Sequence, residues 1–304
     1  MKKALSLLFI IFSLFAFKNF AFAQPEVDAC YNFHKAGDYR RAIEAGKVAV
    51  QKYPNSLKAR FCLGASYYAI GEFRLALVHM KKAESLTSDK EDLMYIYSWI
   101  GSIYDGMDYL DDALLYYSRS LMLAIDLENE SMQATALSSI AGIYSNKGEL
   151  DKALDYYEES LSLQTDEKEK ATTYNNIALI YEDKGDYQKA VKYYQKAIEI
   201  GERYGDYYRV SMWKLNLGDT YRKMRDYEKA EKYILEGLEG VRKVGDKYWE
   251  AVGYSYLGWL YRDKGDKKTA KDYLTRAYDM FKSIGAEEDA EEVLSEIQKL
   301  EEKK

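Results

Sequence analysis

Few side chains in this 304-residue sequence could carry catalytic or metal chemistry. The only histidines are His34 and His79. No serine or cysteine stands with a histidine and an acid as a nucleophile needs, and no glycine-rich phosphate loop follows a strand. Cys30 and His34 are i, i+4 on one expected helix, with Cys62 at the matching place on a later one. Three such soft ligands could hold a metal, but their spacing matches no zinc-binding signature. Neither a metal nor any other cofactor is therefore expected. Asp and Glu are plentiful, and on helices of this kind they form a solvated face. The chain reads as non-enzymatic, and binding becomes the chemistry to look for.

The elements that must position a binding surface repeat along the chain. Residues 171–200 show the unit. Ile177, Ala178 and Tyr181 share one helical face. Lys184-Gly185-Asp186 interrupts the helix, because Gly185 can take the positive φ that a helix end needs. Tyr187, Ala190, Tyr194, Ala197 and Ile198 then line a second helix. The same aromatic-to-alanine interval recurs as Phe33…Ala42, Tyr67…Ala76, Tyr104…Ala113, Tyr144…Ala153, Tyr181…Ala190, Tyr221…Ala230 and Tyr261…Ala270, which makes seven units. Glycine marks the turn in five of them. Asp108 and Arg225 replace it in the others, where the chain is expected to turn with some strain. Three residues before each aromatic stands a small residue (Cys30, Gly64, Gly101, Ala141, Ala178, Gly218, Gly258), as close helix contact requires.

This pattern resembles the tetratricopeptide repeat, in which small residues and aromatics recur at fixed offsets over a helix pair. The first alanine interval is 34 residues, and later ones are 37 or 40. The extra residues end at Gly205-Asp206, Gly245-Asp246 and Gly285-Ala286, with Asp206 and Asp246 suited to cap the next helix. Later helices are thus expected to be about one turn longer. That resembles the longer-repeat subclass of kinesin light chains and of regulators that clamp extended peptides. The resemblance implies an all-α fold, a right-handed superhelical solenoid of seven helix pairs across residues 24–285. Residues 286–304 read as a C-terminal cap helix, its stripe Ala290, Val293, Leu294, Ile297 and Leu300 backed by charge; an acidic interaction tail is the alternative.

The resemblance also implies where a ligand would lie. In the family the first helix of each pair lines a concave groove, through residues five and two before the aromatic and one after it. Here these positions give Asn176, Leu179 and Glu182; Asn216, Asp219 and Arg222; and Tyr256, Trp259 and Arg262. Trp99 takes the first position in an earlier unit. In the peptide-clamping subclass an Asn five residues before the aromatic bonds an extended peptide, since an amide both donates and accepts. Asn176 and Asn216 match; Trp99, Ser139 and Tyr256 depart, and the two amides could equally hydrate the groove. The Lys or Arg beside Asn that a chaperone-tail carboxylate clamp requires is not in place. Neighbouring first helices touch in such arrays, so a Cys30–Cys62 disulfide is implied as one arrangement, and two thiols remain the simpler one.

Residues 1–23 have Lys2 and Lys3, an apolar run and Ala21-Phe22-Ala23, which reads as a secretory signal peptide cut before Gln24. Its loss moves the net charge from −6 to −9, a poor balance for nucleic-acid binding. No later stretch is long and apolar enough to span a membrane. The expected protein is periplasmic or secreted and holds a peptide or protein partner in its groove. The competing reading is a periplasmic sensor for a small ligand such as a sugar, with Trp99 and Tyr95 as an aromatic wall.

Overall fold

The computed structural model describes residues 24–302, so the leader expected over residues 1–23 lies outside the described residues. Among the described residues there are 15 α-helices and no strand. They fall into two compact units, one ending at Gln164 and one beginning at Thr165.

The first unit stacks four helix pairs. These are α1 (Pro25–Lys35) with α2 (Tyr39–Lys52), α3 (Leu57–Ala69) with α4 (Phe73–Glu84), α5 (Lys90–Gly106) with α6 (Leu110–Asp126), and α7 (Glu130–Asn146) with α8 (Leu150–Leu163). The second stacks three pairs and one further helix. These are α9 (Glu167–Asp183) with α10 (Tyr187–Arg203), α11 (Tyr207–Lys223) with α12 (Tyr227–Val244), α13 (Lys247–Asp263) with α14 (Lys267–Ser283), and then α15 (Glu287–Glu302). α1 to α4 have 11 to 14 residues, whereas most later helices have 17, the extra turn expected from the wider spacing.

Each turn is built as its residues require. Gly185 sits at φ 75°, and the Asp186 side chain caps α10 by accepting from the Lys189 backbone N–H. Asp206 and Asp246 cap α11 and α13 in the same way. Asp108 (φ 65°) and Arg225 (φ 63°) adopt the left-handed conformation where the other turns have glycine. The chain turns there at a backbone cost of about 1–2 kcal/mol.

Helix pairs close on the small positions. A methyl group added at Gly218 would come within 2.6 Å of the Ile234 side chain and 2.9 Å of its backbone nitrogen. Ala178 and Ala190 are wholly buried, as are Tyr194 and Tyr117, so the aromatic stripes are core. α15 packs on α14 through buried Ala290, Val293 and Ile297 and turns an acidic face outward.

Candidate ligand-binding surface

In the second unit the first helices α9, α11 and α13, followed by α15, carry the positions the repeat pattern singles out. α11 has three charged residues near its end, Asp219, Arg222 and Lys223. The i, i+3 and i, i+4 spacings bring both cations onto Asp219. Arg222 Nε donates to Asp219 Oδ1 at 2.7 Å, and Lys223 Nζ lies 3.0 Å from Oδ2. Lys223 also reaches back to Glu182 on α9. Arg222 reaches forward to Asp263 on α13 at 2.5 Å. Asp263 in turn accepts from Arg262, whose other nitrogen pairs with Glu296 on α15. One chain of alternating charge therefore links every other helix from α9 to α15.

The chain is largely removed from water. Asp219 is 4 % exposed, and the Arg222 side chain 10 %. Such charges are tolerated only when each has partners. Glu182 has two more, from Tyr194 Oη at 3.0 Å and Thr220 Oγ1 at 2.8 Å. Burial pushes the Glu182 carboxyl above its ordinary range; Lys223 draws it down and Asp219 pushes it up again. Burial alone would lower Lys223, but Asp219 and Glu182 outweigh it and hold the ammonium above its usual value. Two carboxylates share one ammonium, so Lys223 holds its proton more tightly.

The structure separates the expected site residues. Asn176 is half-buried on α9; its Oδ1 accepts from Asn175 Nδ2 at 3.2 Å, and its own amide N–H groups have no partner among the described residues. Leu179 is half-buried against the core. Asn216 is more enclosed. It is 8 % exposed, and its Oδ1 accepts from Tyr256 Oη at 3.3 Å, so it offers a partner less surface than Asn176 does. The two amides are not equivalent, because a tyrosine fills the next equivalent place and engages one of them. Tyr256 and Trp259 are likewise buried, with ring centroids 5.6 Å apart. Arg222 lies 5.7 Å from the Trp259 ring centre, a cation–π contact that adds to its ion pairs. Arg222, Asp219 and Glu182 thus have their charges met within the ion chain. Arg262 keeps a third of its side-chain surface despite its pairs.

The aromatic wall proposed for Trp99 and Tyr95 is corrected. Trp99 is 6 % exposed and stands edge-on to Phe61 and Tyr68, at 5.8 and 5.5 Å. Tyr95 packs in a separate cluster with Met94, Ala124 and Met132. Cys30 and Cys62 are joined by a disulfide, so the simpler reading of two thiols does not hold. Cys30 fills the small-residue place on α1, where Cys62 meets it from α3.

The position rule overlooked Lys223, Asp263 and Glu296. A signal existed. The residue two beyond the aromatic reads Asp183, Lys223 and Asp263 in successive units, alternating in sign beside Glu182, Arg222 and Arg262.

The stacked pairs define a helical-repeat protein. The tetratricopeptide repeat profile matches residues 132–203, 169–243 and 208–283, together half of the chain, and the protein belongs to that family. No curated protein matches it in sequence. Among solved structures it is similar to the apo form of RapI, with 14% identity over 86% of this chain and 98% of that one, at a TM-score of 0.70. It is also similar to the apo form of the quorum sensor NprR from B. thuringiensis (18% identity, 90% and 86% covered, TM-score 0.65). A third is the Rap conjugation gene regulator of plasmid pLS20 in complex with the Phr* peptide (19% identity, 87% and 75% covered, TM-score 0.62).

Proposed function

We propose that this protein is an exported, non-enzymatic scaffold that binds an extended peptide or protein segment on the first-helix face of residues 165–302. The observation that carries the reading is the chain of ion pairs joining α9, α11, α13 and α15. It holds the side chains of that face in fixed places, so a partner meets a surface already ordered. Membership of the repeat family supports an interaction role, and the likeness to a regulator solved with the Phr* peptide supports a peptide as ligand. Asn176, Leu179 and Arg262 are the parts of the face still open to contact. An amide, an apolar edge and a cation suit a peptide backbone with an acidic side chain. Export is supported by the basic and apolar leader in the sequence and by the Cys30–Cys62 disulfide, which suits an oxidising compartment.

Peptides selected by display on the mature chain provide the test. Calorimetry of a selected peptide should show Asn176→Ala with Leu179→Ala weakening binding by about 1–3 kcal/mol, with helicity unchanged. Equal affinity for that double variant would put the binding face elsewhere. Fractionation of the native host should find the protein outside the inner membrane with Gln24 at its N-terminus. A cytoplasmic product that keeps residues 1–23 would end the export reading.

A further inference from the structure

At the turn end of the second unit lies a shallow cleft of about 440 Å³, lined by Tyr187, Arg222, Lys223, Arg225, Tyr227 and Asp263. Three of the six are cations. Arg222, Lys223 and Asp263 are engaged in the ion chain and give the cleft a fixed charged wall. The other three are uncommitted: among the described residues, Arg225, Tyr187 and Tyr227 make no polar side-chain contact. The nearby acids are taken, since Asp226 pairs with Lys229 and Asp186 with Lys189. Arg225 is also an expensive residue for its place. It holds φ 63° in a turn where five sister turns use glycine. An Asp, as at 108, tolerates that conformation better than an Arg. The cleft therefore combines an unpaired guanidinium, two unpaired phenols and a wall whose charges are balanced within the ion chain.

We infer that this cleft is a binding site for a tetrahedral oxyanion, a phosphate or sulfate group. Its free donors come from three different residues, on one turn and two helix starts. That divergence suits an anion with acceptor oxygens pointing several ways, more than a planar carboxylate, which a single guanidinium fork satisfies. The acid of the cleft, Asp263, is already neutralised by Arg222 and Arg262, so it does not repel the anion at full charge. The inference stands apart from the peptide reading, because none of the uncommitted residues is on the proposed peptide face.

Arg225→Gly makes the test clean, since it removes the guanidinium and relieves the backbone at once. NMR titrations of the mature chain at constant ionic strength would use inorganic phosphate, phenyl phosphate and acetate. Saturable binding of phosphate is expected, weakened at least about tenfold in Arg225→Gly. The melting temperature of that variant should stay level or rise, so the loss cannot come from misfolding. Tyr187→Phe with Tyr227→Phe should weaken phosphate severalfold. Asp108→Gly, the same backbone relief in the other unit, should leave it unchanged. Phenyl phosphate binding more tightly than inorganic phosphate would make the ligand an ester carried on a larger molecule; the reverse would make it the free ion. The inference is overturned if phosphate does not saturate, if acetate binds as well as phosphate, or if Arg225→Gly binds it undiminished.

Discussion

In residues 24–164 the buried polar ties between neighbouring helices are neutral, and the ion pairs between helices, such as Lys52–Glu26 and Lys90–Asp126, lie at the exposed rim. Ser120 Oγ donates to the Met94 carbonyl at 2.8 Å, and Ser160 Oγ to that of Ala134 at 2.7 Å. Tyr117 Oη donates to Ser102 Oγ at 3.1 Å, and a disulfide joins α1 to α3. In residues 165–302 the places of Ser120 and Ser160 are taken by Ala197, Gly237 and Ala277. There the backbones come closer: a methyl group on Gly237 would stand 2.6 Å from the Ser211 carbonyl oxygen. Specific polar contact has moved to the first helices and become ionic. Lys214 does the same between α10 and α12, pairing with Glu202 and Glu236 at 3.0 Å each. One helix-pair pattern can thus be held by neutral hydrogen bonds or by buried charge. The two choices answer differently to mutation and to pH.

The largest effect is expected from Asp219→Ala. It takes one of two acid partners from each of two cations, Arg222 and Lys223, and breaks the ion chain at its centre, which costs about 3–5 kcal/mol. Hydrogen exchange should loosen α9 to α15 and leave α1 to α4 protected. If the loss is small, water already screens the ion chain and the contrast between the units is weaker than drawn. Replacing Glu182 by Leu and Lys223 by Met together should cost far less than either alone, since no charge is left unpaired.

The counterpart in the first unit is Cys30→Ala with Cys62→Ala. The bridge spans 32 residues, and opening a loop of that length costs about 3–4 kcal/mol by chain entropy. Reductant should reproduce the change, with faster exchange in α1 to α3 alone.

Close packing gives a third contrast. Gly218→Ala meets the Ile234 backbone and should cost about 1–3 kcal/mol. Gly64→Ala meets chiefly the Met80 side chain at 3.2 Å, which can shift, and should cost less. Urea midpoints of the two variants would show the difference; equal values would mean that both contacts relax.

The smallest effect is that of pH. Burial holds the His34 and His79 imidazoles down at about 4, against an ordinary value of 6.5; Arg60 adds to this at His79. The unfolded chain takes up those protons as pH drops below 6.5, and the folded chain does so only near 4. Their contribution is therefore complete above pH 6.5 and is lost as pH falls from 6.5 to 4, at about 1 kcal/mol each once solvent screening is allowed for. Glu182 acts with the opposite sign. Its folded value is raised, so its protonation favours the second unit as pH falls toward the ordinary carboxyl range. Urea midpoints between pH 7 and 4.5 should depend less on pH in His34→Asn with His79→Gln than in the natural chain. An unchanged slope would show that the two rings are open to water.

Most of the fold was legible in the sequence because it rests on local rules. The interval from Tyr181 to Ala190 fixes a helix pair, and Asp206 and Asp246 announce the next start. Even the two turns without glycine, at Asp108 and Arg225, could be placed by phase alone. The binding face was legible only as a set of positions. Position says which way a side chain points but not whether another residue reaches it first. Tyr256 claims Asn216 from 40 residues away, and Phe61 and Tyr68 cover Trp99. Such claims depend on which residue fills the same place in the neighbouring unit, and a unit read by itself cannot show them.

The ion chain has a consequence for how such a molecule can change. Tandem arrays grow and shrink by gain or loss of whole units, which works best when every unit offers its neighbour the same surface. The residue just past the aromatic is Glu182, then Arg222, then Arg262 in successive units, and each is matched to a different acid or base beside it. Excising residues 207–246 would join α9 and α10 to α13 and remove Lys223 and Arg222 in one step. Glu182 would lose its ammonium, and Asp263 one of its two guanidinium partners. The last three units are thereby keyed to one order, and a deletion or swap that a plain array would survive is penalised in this part of the chain.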